Sequence, residues 1–151
     1  MEKLIVDNGL LELEINDSGV LRFNASDFNV YQRFLHLAKE LPELEKEYSG
    51  IEQTGGDDME IAGAALNKLE ALDRKVKEKL SWVFGTANDF DRLLDGVNVM
   101  AVGKNGERVI VNLLNALSPY IERGVAQHRK EAAAEAVAEA KQNRAQRRAK
   151  N

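Results

Sequence analysis

The sequence predicts an α+β fold, mainly α: an N-terminal β-hairpin followed by a bundle of three long helices and a short one, with a basic helical C-terminal extension. Three observations carry this. Leu11, Leu13 and Ile15 alternate with Glu12 and Glu14, the period-two pattern of a half-buried strand. From Ala62 to Val83 the apolar residues recur at steps of three and four, the stripe of an amphipathic helix. From about Gln127 large apolar residues almost vanish, and alanine and charge take over.

The elements follow in order. Strands are expected near 10–15 and 19–24, joined by the turn residues Asn16-Asp17-Ser18-Gly19. Leu4 to Val6, ahead of Asp7-Asn8-Gly9, is a candidate third strand. Ser26 reads as a helix N-cap with Asp27 in the first turn. Tyr31, Phe34, Leu35, Ala38, Leu41, Leu44 and Tyr48 then give a helix over 26–48, kinked at Pro42, whose nitrogen has no hydrogen to donate. Ile51 to Asp58 reads as a loop, with Asp57 or Asp58 capping the second helix and Gly85 closing it. Thr86 to Asp89 offers the next cap, and Phe90, Leu93 and Leu94 form a short helix ended by Gly96. The apolar run Val97 to Val102 fits a buried strand or a helix equally. Gly103-Lys104-Asn105-Gly106 is a turn. A third long helix is expected from Glu107, with Pro119 as a kink or a restart. Ala132 to Lys141 is rich in strong helix formers, so a solvent-exposed, fraying helix is expected there, ending in a mobile polar segment from Gln142.

The 151 residues suit one domain, able to bury about 68–70% of its unfolded surface. Residues 1–127 are assigned to the hairpin and helical domain and 128–151 to an exposed, basic, partly helical tail. The net charge is −4; seven Lys/Arg against three Glu from Arg129 onward make the tail +4 and leave −8 on the body. There is no cysteine, which rules out disulfides and thiolate metal sites and suits a reducing compartment. Met1 to Asp7 lacks the pattern of a secretory leader, and no stretch approaches the roughly 20 apolar residues of a membrane span. The expectation is a soluble protein of the cytoplasm.

Candidate chemistry is sparse. His36 and His128 stand apart and read as ordinary helix histidines. Asp57, Asp58 and Glu60, and again Asp89, Asp91 and Asp95, lack the fixed alternate spacing of a calcium loop and read as helix caps. Ser49, Ser81 and Ser118 lack a nucleophile's glycine-flanked elbow, and no phosphate-binding loop occurs. The sequence therefore points to a non-enzymatic protein with no cofactor and no metal. Arg144, Arg147, Arg148 and Lys150 invite a nucleic-acid reading, but no aromatic is interleaved to stack bases and the body is acidic. A solvated tail, or one that orders on an acidic protein partner, is preferred. Trp82, Phe84 and Phe90 form an aromatic concentration, read as a core plug in preference to an interface hot spot. These three, with Arg144, Arg147 and Arg148, are the candidates for partner binding.

Several phrases then stand in a telling order. Leu21-Arg22-Phe23-Asn24 ends the hairpin, and Tyr31-Gln32-Arg33-Phe34-Leu35 opens the first helix. Val83-Phe84-Gly85 and Asp89-Phe90-Asp91 follow, then Leu113-Leu114-Asn115-Ala116-Leu117-Ser118-Pro119-Tyr120-Ile121. Over residues 10–125 this resembles the tail assembly chaperones encoded in tail-gene clusters of long-tailed phages of Gram-positive hosts. Asn143 to Arg148 is similar to the basic ends of such proteins. The resemblance implies a helical chaperone that binds the tape-measure protein before the tail tube polymerises, with no catalytic residues. It also implies self-association along a filament-like client. A virion structural or scaffolding protein is the alternative, and a nucleic-acid-binding regulator the less favoured one.

Overall fold

The computed structural model describes residues 1–54 and 58–150, the side chains of 128–133 and 143–150 excepted. Its order is β1 (Leu11–Ile15), β2 (Gly19–Phe23), α1 (Phe28–Gln53), α2 (Met59–Phe84), α3 (Phe90–Leu93) and α4 (Val109–Lys150). The mainly helical α+β class expected from the sequence is what the chain adopts.

β1 and β2 pair antiparallel, with Leu11 opposite Phe23, Leu13 opposite Leu21 and Ile15 opposite Gly19. Asn16 and Asp17 both take positive φ, 47° and 62°, the geometry that matches hairpin twist. The Ser18 N–H closes the turn on the Ile15 carbonyl at 2.8 Å. Leu21 and Phe23 are buried, and Leu11, Leu13 and Ile15 lie half-buried on the same core. The third strand expected at Leu4 to Val6 does not form. Gly9 turns at φ 66°, the Gly9 N–H donates to Asp7 Oδ1 at 2.9 Å, and Asn24 Nδ2 donates to the Asn8 carbonyl at 2.8 Å. The chain is thereby pinned beside the end of β2, and Leu4, Ile5 and Val6 stay exposed.

The cap of α1 is Asp27, not Ser26. Asp27 has extended backbone and its Oδ1 accepts the Asn29 N–H at 2.9 Å, while the Ser26 N–H is taken by Asn24 Oδ1. α1 is helical on both sides of Pro42 and runs past residue 48 to Gln53. Ile51, expected in a loop, sits in this last turn, because it packs against the core together with Tyr48. Asp58 caps α2 by accepting the Glu60 N–H at 2.8 Å. Asp57 lies outside the described residues. α1 and α2 pack side by side, burying Val30, Phe34, Leu37 and Leu44 against Leu72, Val76, Leu80 and Val83.

The segment Val97 to Val102 is neither strand nor helix, apart from one isolated bridge between Val102 and Arg108. It is a turn buried at its centre and exposed at Val97 and Val102. Val99 and Met100 are sealed in the core, and the Val99 N–H donates to Asp73 Oδ1 at 2.8 Å. The turn then serves α4: the Val109 and Ile110 N–H groups donate to the Ala101 and Val99 carbonyls, both at 2.8 Å. That backbone cap sets the helix start at Val109 rather than Glu107. Pro119 lies within α4. Gly124 is buried where α4 crosses the β2–α1 connection, and a Cβ there would stand 2.2 Å from the Ala25 carbonyl oxygen. Val125 is the last buried apolar residue described on α4. No helix among the described residues is long and apolar enough to cross a membrane.

Candidate partner-binding surface

Trp82 and Phe84 are neighbours in sequence and opposites in space. Two residues apart on a helix do not share a face. Phe84 is 3% exposed and Phe90 1%, while Trp82 is 48% exposed. Phe84 meets Phe23 at 5.1 Å, Phe90 at 5.8 Å and Phe34 at 6.4 Å between ring centroids. The core-plug reading therefore holds for Phe84 and Phe90, which present no surface to a partner. Of the three aromatics, Trp82 alone faces outward.

α1 and α2 dress that indole. The Arg33 guanidinium lies 5.5 Å from the Trp82 ring centroid, and its Nη1 donates to the Trp82 carbonyl at 3.4 Å. The His36 ring stands edge-on at 5.9 Å. His36 Nδ1 is 2.9 Å from Glu40 Oε1, one turn along α1. Glu40 Oε2 also accepts from Lys79 Nζ, reaching over from α2. The Lys79 hydrogen bond, helped by the charges of Lys79, His36 and Lys75, holds the Glu40 carboxyl below the usual carboxylate range despite partial burial. Glu40 is thus a fixed anion that orients one cationic arm and one imidazole around the aromatic face. A groove of about 280 Å³ lies between His36, Leu37, Glu40, Lys79 and Trp82. It adjoins a shallower one along Gln32, Leu35, His36 and Lys39, and Leu35 is itself exposed. An exposed indole with a guanidinium over its ring is a pairing of two of the residue types that interface hot spots favour.

The acidic cluster at 89–95 serves structure. Asp89 Oδ1 accepts the Asp91 and Arg92 N–H groups at 3.1 and 3.3 Å, as the cap of α3. Asp91, read from sequence as a cap, instead accepts from Lys77 Nζ at 2.7 Å, and Asp95 sits in a turn at φ 58°. Lys77 is buried and also donates to Asp73 Oδ2 at 2.8 Å. Burial pushes its ammonium down, and the bonds to Asp73 and Asp91 together outweigh that, so it is held above the ordinary lysine value. Among the described residues, no three His, Asp or Glu side chains converge as metal ligands. Arg144, Arg147 and Arg148, with His128, have side chains outside the described residues.

Periodicity did not reveal Asn88 or Arg33. Asn88 is buried against β2: its Oδ1 accepts the Arg22 N–H at 3.0 Å and its Nδ2 donates to the Arg22 carbonyl at 2.9 Å. The same Nδ2 reaches the Phe84 carbonyl at 3.2 Å. Its side-chain amide thus completes the outer edge of β2 as a strand's backbone would.

No family model matches the sequence, and neither a curated protein nor a solved structure matches it significantly.

Proposed function

We propose that the chain is a non-enzymatic binding protein that holds a long helical client, and specifically a phage tail assembly chaperone acting on the tape-measure protein in the host cytoplasm. The observation that carries the binding reading is Trp82. A large aromatic stands half-exposed at the end of α2, with the Arg33 guanidinium and the His36 ring set against it. Ordering Arg33 and His36 around the indole costs side-chain entropy, and the half of the indole left in water is apolar area that a partner's covering surface would bury. The choice of client comes from the sequence resemblance over residues 10–125. An amphipathic client helix would lay its apolar stripe along Leu35 and Trp82, with its flanking charges meeting Lys39, Glu40 and Lys79.

Co-expression tests this. The wild-type chain is expected to keep the tape-measure protein soluble and to co-elute with it on gel filtration. Trp82→Ala is expected to abolish both while leaving the thermal midpoint within a few degrees, since Trp82 lies outside the core. Unchanged client solubility with the wild-type chain, or full rescue by Trp82→Ala, would refute the proposal.

A further inference from the structure

The hairpin has two edges, and the molecule treats them differently. At β2 the Arg22 N–H and carbonyl both bond Asn88, so they point away from β1. In an antiparallel pair the residues alternate between bonded and non-bonded positions. Glu12, opposite Arg22, and Glu14, two residues on, therefore turn their N–H and carbonyl groups outward from β1. Among the described residues the sheet has two strands, and that edge meets no third one. Bare edges of this kind invite strand addition.

A groove of about 480 Å³ runs beside the bare edge. Leu13 and Ile15 form one wall, and Leu113, Leu117 and Tyr120 of α4 form the other. No β2 residue lines it, which places it on the unpaired side of β1. The chain also carries a segment suited to fill it. Leu4, Ile5 and Val6 are 90%, 93% and 70% exposed, among the most exposed apolar residues in the molecule. They cannot serve their own edge as placed, because Asn8 is tied to Asn24 beyond the end of β2.

We infer that the segment Lys3 to Val6 of one copy adds as a third strand to β1 of a second copy. Strand alternation puts Leu4 and Val6 on one face and Lys3 and Ile5 on the other. With Leu4 and Val6 in the groove, Lys3 and Ile5 lie on the face that carries Glu12 and Glu14; Glu12 is paired with Arg22 at 3.0 Å, so Lys3 finds its opposite charge in Glu14. Each copy donates one arm and accepts one, and the interface is small. Association is therefore weak and rises with concentration. This inference stands apart from the client-binding proposal, which uses different residues, those around Trp82.

Light scattering on the full chain, from micromolar to near-millimolar concentration, tests it with two variants. Leu4→Asp with Val6→Asp disables the arm, which lies outside the core. Glu14→Pro removes one outward N–H from the edge, a substitution edge strands accept. The wild-type mass is expected to rise with concentration, and each variant alone to stay monomeric. A mixture of the two is expected to form one-to-one dimers, since one retains a working edge and the other a working arm. Excess synthetic peptide of residues 1–8 is expected to dissociate wild-type oligomers. A wild-type chain monomeric throughout, oligomers that survive the arm substitutions, or a mixture that fails to pair while both variants keep the wild-type thermal midpoint would each overturn the inference.

Discussion

The first half of α4 and its second half share one backbone and live in different surroundings. From Val109 to Val125 the helix buries Ile110, Leu113, Leu114, Leu117, Ile121 and Val125, and Gly124 lets its backbone touch the β2–α1 connection. Residues 134–142 are exposed at every position, Val137 included. The first half is held by apolar area removed from water, at about 25 cal/mol per Å². The second rests on the local preference of alanine and glutamate for helix, against the like-charged pair Glu135 and Glu139 one turn apart. Helical backbone alone therefore says little about where stability resides: packing supplies it in one half and propensity in the other.

Substitutions should separate the two halves sharply. Gly124→Ala places a methyl 2.2 Å from the Ala25 carbonyl oxygen and 2.5 Å from its carbon. Both are backbone atoms, so two elements must part. A gain in helix propensity of about 1 kcal/mol does not offset that, and denaturant titration should show a net loss of roughly 3 kcal/mol. Asn88→Ala, which strips the partner from Arg22 at the edge of β2, should cost about 1–3 kcal/mol by leaving buried polar groups unmatched.

The pH response belongs to the packed body too. Glu40 is held below its ordinary value of 4.5, so its ion pair contributes fully above that value and is lost as pH falls through the lower folded value. Lys77 is held above its ordinary 10.5, so its contribution is complete below 10.5 and fades as pH rises through the higher folded value. Thermal melts should show a plateau between these limits, and Glu40→Gln should flatten the acid side. At the exposed end, Val137→Asp should shift stability by no more than about 0.5 kcal/mol.

How much of this was legible in the sequence depends on what kind of interaction was involved. The hairpin and α2 were, because Leu11-Leu13-Ile15 and the stripe ending at Val83 repeat with the period of their own backbone. The buried turn around Val99 was not, because a short apolar run has no period to read. What shapes it is Asp73, distant in sequence. Asn88 looked like one cap residue among four, since nothing local marks a polar side chain for burial against a distant strand. The cap of α1 moved by one residue because Asn24 claims the Ser26 N–H. Leu4 to Val6 has strand-forming residues, but the tie between Asn8 and Asn24 holds it away from the edge of β1 in its own chain, so composition alone overstated the sheet. The aromatic cluster was half-legible: Trp82 and Phe84 stand two apart, and helical geometry already sends them to opposite faces.

Trp82 is the single tryptophan of the chain, so with excitation selective for indole and a client segment free of tryptophan its fluorescence reports the proposed client surface. Titration with a helical segment of the tape-measure protein should shift the emission to shorter wavelength and saturate, as the half-exposed indole loses water. Arg33→Ala should weaken the titration. Emission that stays fixed at saturating client, in a sample where the client is shown to be bound, would contradict the assignment of that surface.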